Sequence, residues 1–105
     1  MINRVTLLGN LGGEPEMRYT ADGAAVAQFS VATERSWKDE EGQEKKETEW
    51  HRIVTWRSLA EACNKYLKKG SRVYIEGRLH YSEWDDEEKG KQRKAEVIAE
   101  VVKFL

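Results

Sequence analysis

Ten residues, Thr48-Glu49-Trp50-His51-Arg52-Ile53-Val54-Thr55-Trp56-Arg57, constrain this chain more than any others. Trp, Ile, Val and Thr predominate in them, side chains that suit a pleated, half-buried surface. Successive side chains of a strand face opposite ways. Trp50, Arg52, Val54 and Trp56 therefore share one face, with Arg57 just past its end. At about 3.3 Å per residue the two indoles stand roughly 20 Å apart. Rings spaced along a basic strip can each stack a base while the arginine holds a phosphate. The alternative is that both rings are core, since Trp is usually well buried. Arg52 between them opposes this, because a guanidinium buried without a partner is costly.

The remaining chain reads as short β elements and one helix. Residues 2–8 form a first strand, ended by Gly9-Asn10-Leu11-Gly12-Gly13. Those glycines are a turn and not a phosphate loop, because Glu14, Pro15 and Glu16 follow where an anion would sit. Residues 17–20 are a short extended piece, and Asp22-Gly23 is a turn. A long second strand runs over residues 25–36 to Trp37, with Ala27, Phe29, Val31 and Thr33 on one face. Residues 38–47 are all polar or Gly and read as a flexible hairpin loop, which leaves Trp37 at its base.

A helix is expected over residues 59–69. Ser58 and Glu61 have the spacing of a capping box. Leu59, Ala62, Cys63, Tyr66 and Leu67 fall on one helical face, with Cys63 in the core. Lys68, Lys69 and Gly70 suit its C-terminal end. Residues 72–81 alternate strictly: Val73, Ile75, Gly77 and Leu79 one way, Tyr74, Glu76, Arg78 and His80 the other. If this persists, Trp84 joins the polar face. Residues 85–90 are a second charged hairpin tip, and residues 94–104 a last strand. The expected fold is mainly β, a five-stranded Greek-key OB-fold barrel with one α-helix between strands 3 and 4.

Composition enters through charge. The net charge is −1, which alone speaks against a nucleic-acid binder. Yet residues 50–80 hold seven basic against two acidic groups, while residues 38–49 hold three against six. Positive charge is thus gathered around the Trp-Arg strand. Catalysis is not expected. His51 and His80 lie on different strands without a nucleophile, and no metalloprotease, dithiol or nucleophile-elbow motif occurs. No cofactor or metal is expected, and the single Cys63 rules out an internal disulfide. No targeting segment or apolar run of membrane length is present, so a cytoplasmic, nucleoid-associated protein without membrane contact is expected.

Several stretches together resemble the bacterial single-stranded DNA-binding protein family, over residues 2–104. They are Val5-Thr6-Leu7-Leu8-Gly9-Asn10-Leu11-Gly12, Pro15-Glu16-Met17-Arg18-Tyr19, Ser36-Trp37-Lys38-Asp39, Thr48-Glu49-Trp50-His51-Arg52, Leu59-Ala60-Glu61 through Tyr66-Leu67, Lys69-Gly70-Ser71 and Val73-Tyr74-Ile75-Glu76-Gly77. The resemblance implies an OB barrel assembled as a homotetramer that binds single-stranded DNA in replication, recombination and repair. It implies base stacking on Trp37, Trp50, Trp56 and Trp84, with phosphate contacts at Arg4, Arg18, Lys38, Arg52, Lys69 and Arg72. It sets His51 near a subunit interface.

Two departures from the family pattern stand out. The chain is read as one domain over residues 1–105 without the disordered, acidic-tipped extension that recruits replication and repair proteins, so that recruitment is not carried over. Basic residues are expected before Trp84, where this chain has His80, Ser82 and Glu83. Five acids among residues 83–88 are therefore expected to weaken the contribution of Trp84. The missing extension leaves open a primosomal accessory OB-fold protein acting as a dimer. An OB-fold protein-interaction module, with the Trp face as its contact patch, is the rival from another class.

Overall fold

The computed structural model describes residues 1–105. Its elements are β1 (Val5–Leu11), β2 (Glu16–Tyr19), β3 (Ala25–Lys38), β4 (Glu44–Trp56), α1 (Arg57–Tyr66), β5 (Arg72–Asp86) and β6 (Gly90–Phe104). Five strands close in the order β1-β5-β6-β4-β3 and back to β1, while β2 is an edge strand on β3. All pairings are antiparallel except β4 with β6. This is the expected closed barrel, with the helix between the third and fourth barrel strands.

Closure depends on two glycines. The first strand does not stop at Gly9 as expected but continues to Leu11. It pairs with β5 through Asn10, and its last two residues, Asn10 and Leu11, also pair with Ala32 and Val31 of β3. At that switch a β-carbon on Gly9 would run into the Ala32 carbonyl oxygen. Gly9 is therefore a close approach of two backbones and not a terminator. Gly77 serves the same need at a bulge between β5 and β6, where a β-carbon would strike the Ile98 carbonyl.

The main core cluster has ten buried residues, Leu11, Phe29, Val31, Ile53, Cys63, Leu67, Val73, Ile75, Val97 and Ala99, and a smaller one joins Ala25 and Ala27 of β3 to Ala60 of α1. They are the inward-facing set of the alternating strands, plus the plug supplied by α1. The helix differs from expectation at both ends. It spans Arg57–Tyr66, has no side-chain cap, and leaves Ser58 and Glu61 inside rather than as a capping box. Arg57, at φ 58°, turns the chain directly out of β4. Leu67 leaves the helix in an extended conformation and is buried in the core, so that Lys68 and Lys69 lie beyond the last turn. Gly70, at φ 89°, sits in the Lys68–Ser71 turn instead of at the helix end, and its N–H donates to the Leu11 carbonyl. Tyr66, expected on the apolar face, is exposed and packs on Phe104, while Ala60 is buried.

Both expected loops are half strand, and the turns shrink to residues 39–43 and 87–89. β3 and β4 remain paired from Val26↔Trp56 to Lys38↔Glu44, and β5 and β6 to Asp86↔Gly90. These hairpins extend beyond the barrel as two-stranded arms, and the molecule measures 56 × 39 × 32 Å. No helix is long and apolar enough to cross a membrane.

Candidate nucleic-acid interface

Antiparallel register determines which side chains of β3 and β4 share the outer face. Val26 faces Trp56, Gln28 faces Val54, Ser30 faces Arg52 and Ala32 faces Trp50. Trp50 and Trp56 are 62% and 41% exposed. Val54 between them is buried, contrary to the open face expected of this strip. The reason is position: Val54 lies mid-sheet, flanked by Gln28 on β3 and Ile98 on β6. Arg52 reaches across the same three strands. It donates to Gln28 Oε1 and pairs with Glu96 Oε2 at 3.5 Å. Glu96 is only 12% exposed, so its charge is answered chiefly by this guanidinium.

Two open clefts meet at Arg52 and Gln28. One, about 350 Å³, is lined by Trp50, Gly12, Gly13, Glu14 and Glu16. The other, about 370 Å³, is lined by Trp56, Arg18, Ser82, Lys94 and Glu96. Together they make a track along the barrel from one indole past the arginine to the other. Trp50 lies over Gly12 so closely that a β-carbon there would collide with Cζ3 and stand 3.0 Å from Cη2. Gly12 thus seats the ring.

The two remaining indoles stand on the arms. Trp37 is 39% exposed, opposite Lys45, with the Arg35 guanidinium 4.8 Å from its ring centre. It stands in the last two paired residues of β3, at the base of a hairpin loop as expected, although that loop is only residues 39–43. Alternation puts it on the ribbon face opposite to Trp50. Trp84 is 45% exposed, and Lys94 Nζ lies 5.5 Å from its ring centre.

The acidic surroundings expected of Trp84 are divided. Glu83 and Asp85 alternate onto the other face of the arm, where Glu83 lies 4.0 Å from Lys91. Asp86 accepts the Glu88 and Lys89 backbone N–H groups and so closes the turn.

The family model for the single-strand binding protein family matches residues 2–105. The chain belongs to that family. A curated relative, single-stranded DNA-binding protein 1 of Chlorobaculum tepidum, is 50% identical over 97 residues, which is 92% of this chain and 60% of that protein. The chain therefore spans less than two thirds of that relative's length. A Plasmodium falciparum single-strand binding protein solved in complex with single-stranded DNA superposes with a TM-score of 0.92. It is 34% identical and covers 100% of this chain and 96% of its own. A deletion mutant of the single-stranded DNA-binding protein from Thermus aquaticus gives 0.87 at 35% identity, over 99% of this chain and 50% of its own.

Within this family member the basic candidates fall into distinct settings. Arg52 and Arg18 meet in the Trp56 cleft. Arg4 is ion-paired with Glu76, away from both clefts. Lys69 comes to the Trp50 cleft through its backbone N–H, which donates to Glu14 Oε1 at 3.3 Å. Arg72 opens β5 opposite Asn10, and Lys38 lies at the tip of the β3–β4 arm. Arg18, Lys38, Lys69 and Arg72 carry no ion pair. His51 bonds Thr33 Oγ1 through Nε2 at 2.8 Å. Cys63 is buried, which pushes its thiol up to about 11 and makes it an inert core residue.

Sequence reasoning missed Gln28, Glu96 and Lys94. They join the site only through cross-strand register, for which nothing in the local sequence is a signal. No cluster of His, Cys, Asp and Glu could hold a metal ion.

Proposed function

We propose that this chain binds single-stranded DNA with little regard to sequence, as a binder rather than an enzyme. It covers and protects single strands during replication, recombination and repair in the cytoplasm, at the nucleoid. The observation that carries the reading is the pair of half-exposed indoles, Trp50 and Trp56, bracketing Arg52 on a continuous outer track. An exposed indole offers a π-face that any base can stack on, which gives affinity without sequence preference. Trp84 extends the surface along the β5–β6 arm, and Trp37 offers a further stacking ring on the other face of the β3–β4 ribbon. Arg18, Arg52, Lys69, Arg72, Lys38 and Arg4 neutralise phosphates, the first two nearest the track. The Plasmodium falciparum relative, bound to single-stranded DNA in its own structure, supports the same ligand class here.

In this reading the working form is a homotetramer, with His51 near a subunit interface, and residues 1–105 are one DNA-binding domain. The deciding experiment is intrinsic Trp fluorescence titrated with oligo(dT) and with a duplex of equal length. Strong quenching by the single strand and little by the duplex is expected. An equal response to both would refute stacking.

A further inference from the structure

The cleft beside Trp56 brings together two elements that each carry an exposed indole. Trp56 ends β4, and Lys94, which lines the cleft, stands over Trp84 on the β5–β6 arm. Lys94 lies directly opposite Ser82 in the ladder and takes part in no ion pair. Three cations, Arg18, Arg52 and Lys94, line the cleft against one carboxylate, Glu96. That carboxylate is already held by Arg52 at 3.5 Å. Positive charge in the cleft is therefore left over.

A second observation is independent of charge. Ser82 Oγ is the one buried side-chain polar atom without a hydrogen-bond partner, and Ser82 lines this cleft. A buried hydroxyl left unpaired carries a desolvation cost that an incoming oxygen acceptor removes. The cleft volume, about 370 Å³, is in the range of ligand sites.

We propose that Lys94, with Arg18 and Ser82, forms a phosphate subsite that carries a single strand from the base on Trp56 to the base on Trp84. It rests on the single-strand binding proposed above and names the path of the strand between two of the stacking rings. The ligand is a phosphodiester, an anion that accepts from an ammonium, a guanidinium and a hydroxyl at once. Lys94 also makes good the charge that His80, Ser82 and Glu83 do not supply before Trp84. It reaches the ring from the neighbouring strand β6 instead of from β5 itself.

The test is a salt titration of oligo(dT) binding for wild type, Lys94→Gln, Lys94→Arg and Ser82→Ala, with a thermal melt of each. Lys94→Gln should weaken binding several-fold and flatten the log-affinity against log-salt slope by about 0.7, the single-strand value for one phosphate. Lys94→Arg should keep the wild-type slope. Ser82→Ala should weaken binding while melting no lower than wild type, because its hydroxyl has no bond to lose in the free protein. A wild-type slope for Lys94→Gln would overturn the subsite, and wild-type affinity for Ser82→Ala would remove the hydroxyl from it. Wild type that fails to bind oligo(dT) would instead refute the proposed function itself, so the two failures are distinct.

Discussion

Trp50 and Trp56 keep large rings in water at the cost of the burial that Trp normally gains. Since they contribute little to the core, Trp50→Ala and Trp56→Ala should each weaken single-strand binding by about 1–3 kcal/mol, the range known for stacked bases in such proteins as a class. Thermal melts should barely move. A large drop in melting temperature would mark these rings as structural and not as base platforms. Gly12 refines the point. Alanine is compatible with its backbone, but the added methyl group would displace the Trp50 ring. Gly12→Ala should therefore cost up to the same 1–3 kcal/mol in binding while the fold melts as before. An unchanged affinity would show that Trp50 stacks equally well from another orientation. Arg52 behaves differently from a free cation: Glu96 and Gln28 orient it, so its gain on meeting a phosphate is offset by what it gives up to the carboxylate.

At the scale of the elements, the arms are where sequence and structure part most. Lys38 and residues 44–47 show no alternation because both ribbon faces are in water, so the usual strand signal is missing although their backbone is paired on either side of the 39–43 turn. The same geometry changes the expectation for the β5–β6 arm. Glu83 lies on the face opposite Trp84 and opposite Arg93, within 4.0 Å of Lys91. Glu83→Lys should accordingly leave oligo(dT) affinity and salt slope close to wild type, which a paired salt titration measures. A slope steeper by the full single-strand value of about 0.7 would place that second face in the DNA path. The helix makes the complementary point. Its capping and glycine signals suited an element placed two to three residues later, but the chain turns into the helix at Arg57 and burial of Leu67 takes it out before Lys68.

For the whole molecule, the proposed binding gives one barrel a reach of only a few nucleotides, which the proposed tetramer would multiply. Wild type should sediment as a tetramer at micromolar concentration. His51→Lys should loosen that assembly, because it puts a fixed charge near the proposed interface and breaks the bond to Thr33. A wild-type monomer would contradict the assembly, and a dimer would favour the accessory-protein reading.

Much of this was legible in the residues themselves. The alternation of Val73, Ile75 and Gly77, the inward set Ala27, Phe29 and Val31, and the spacing of Trp50 and Trp56 are local patterns, and local patterns report which way a side chain faces. Family resemblance added Trp37 and Trp84 to the two rings the pattern singled out. Tertiary structure decided the rest: that Gly9 is a barrel closure, that Val54 is covered, that Arg52 is held by Glu96, and that Lys94 stands over Trp84. Each of these depends on register between strands apart in the chain. A strand's own sequence says which face a residue occupies, but only pairing with its neighbours says what it meets there.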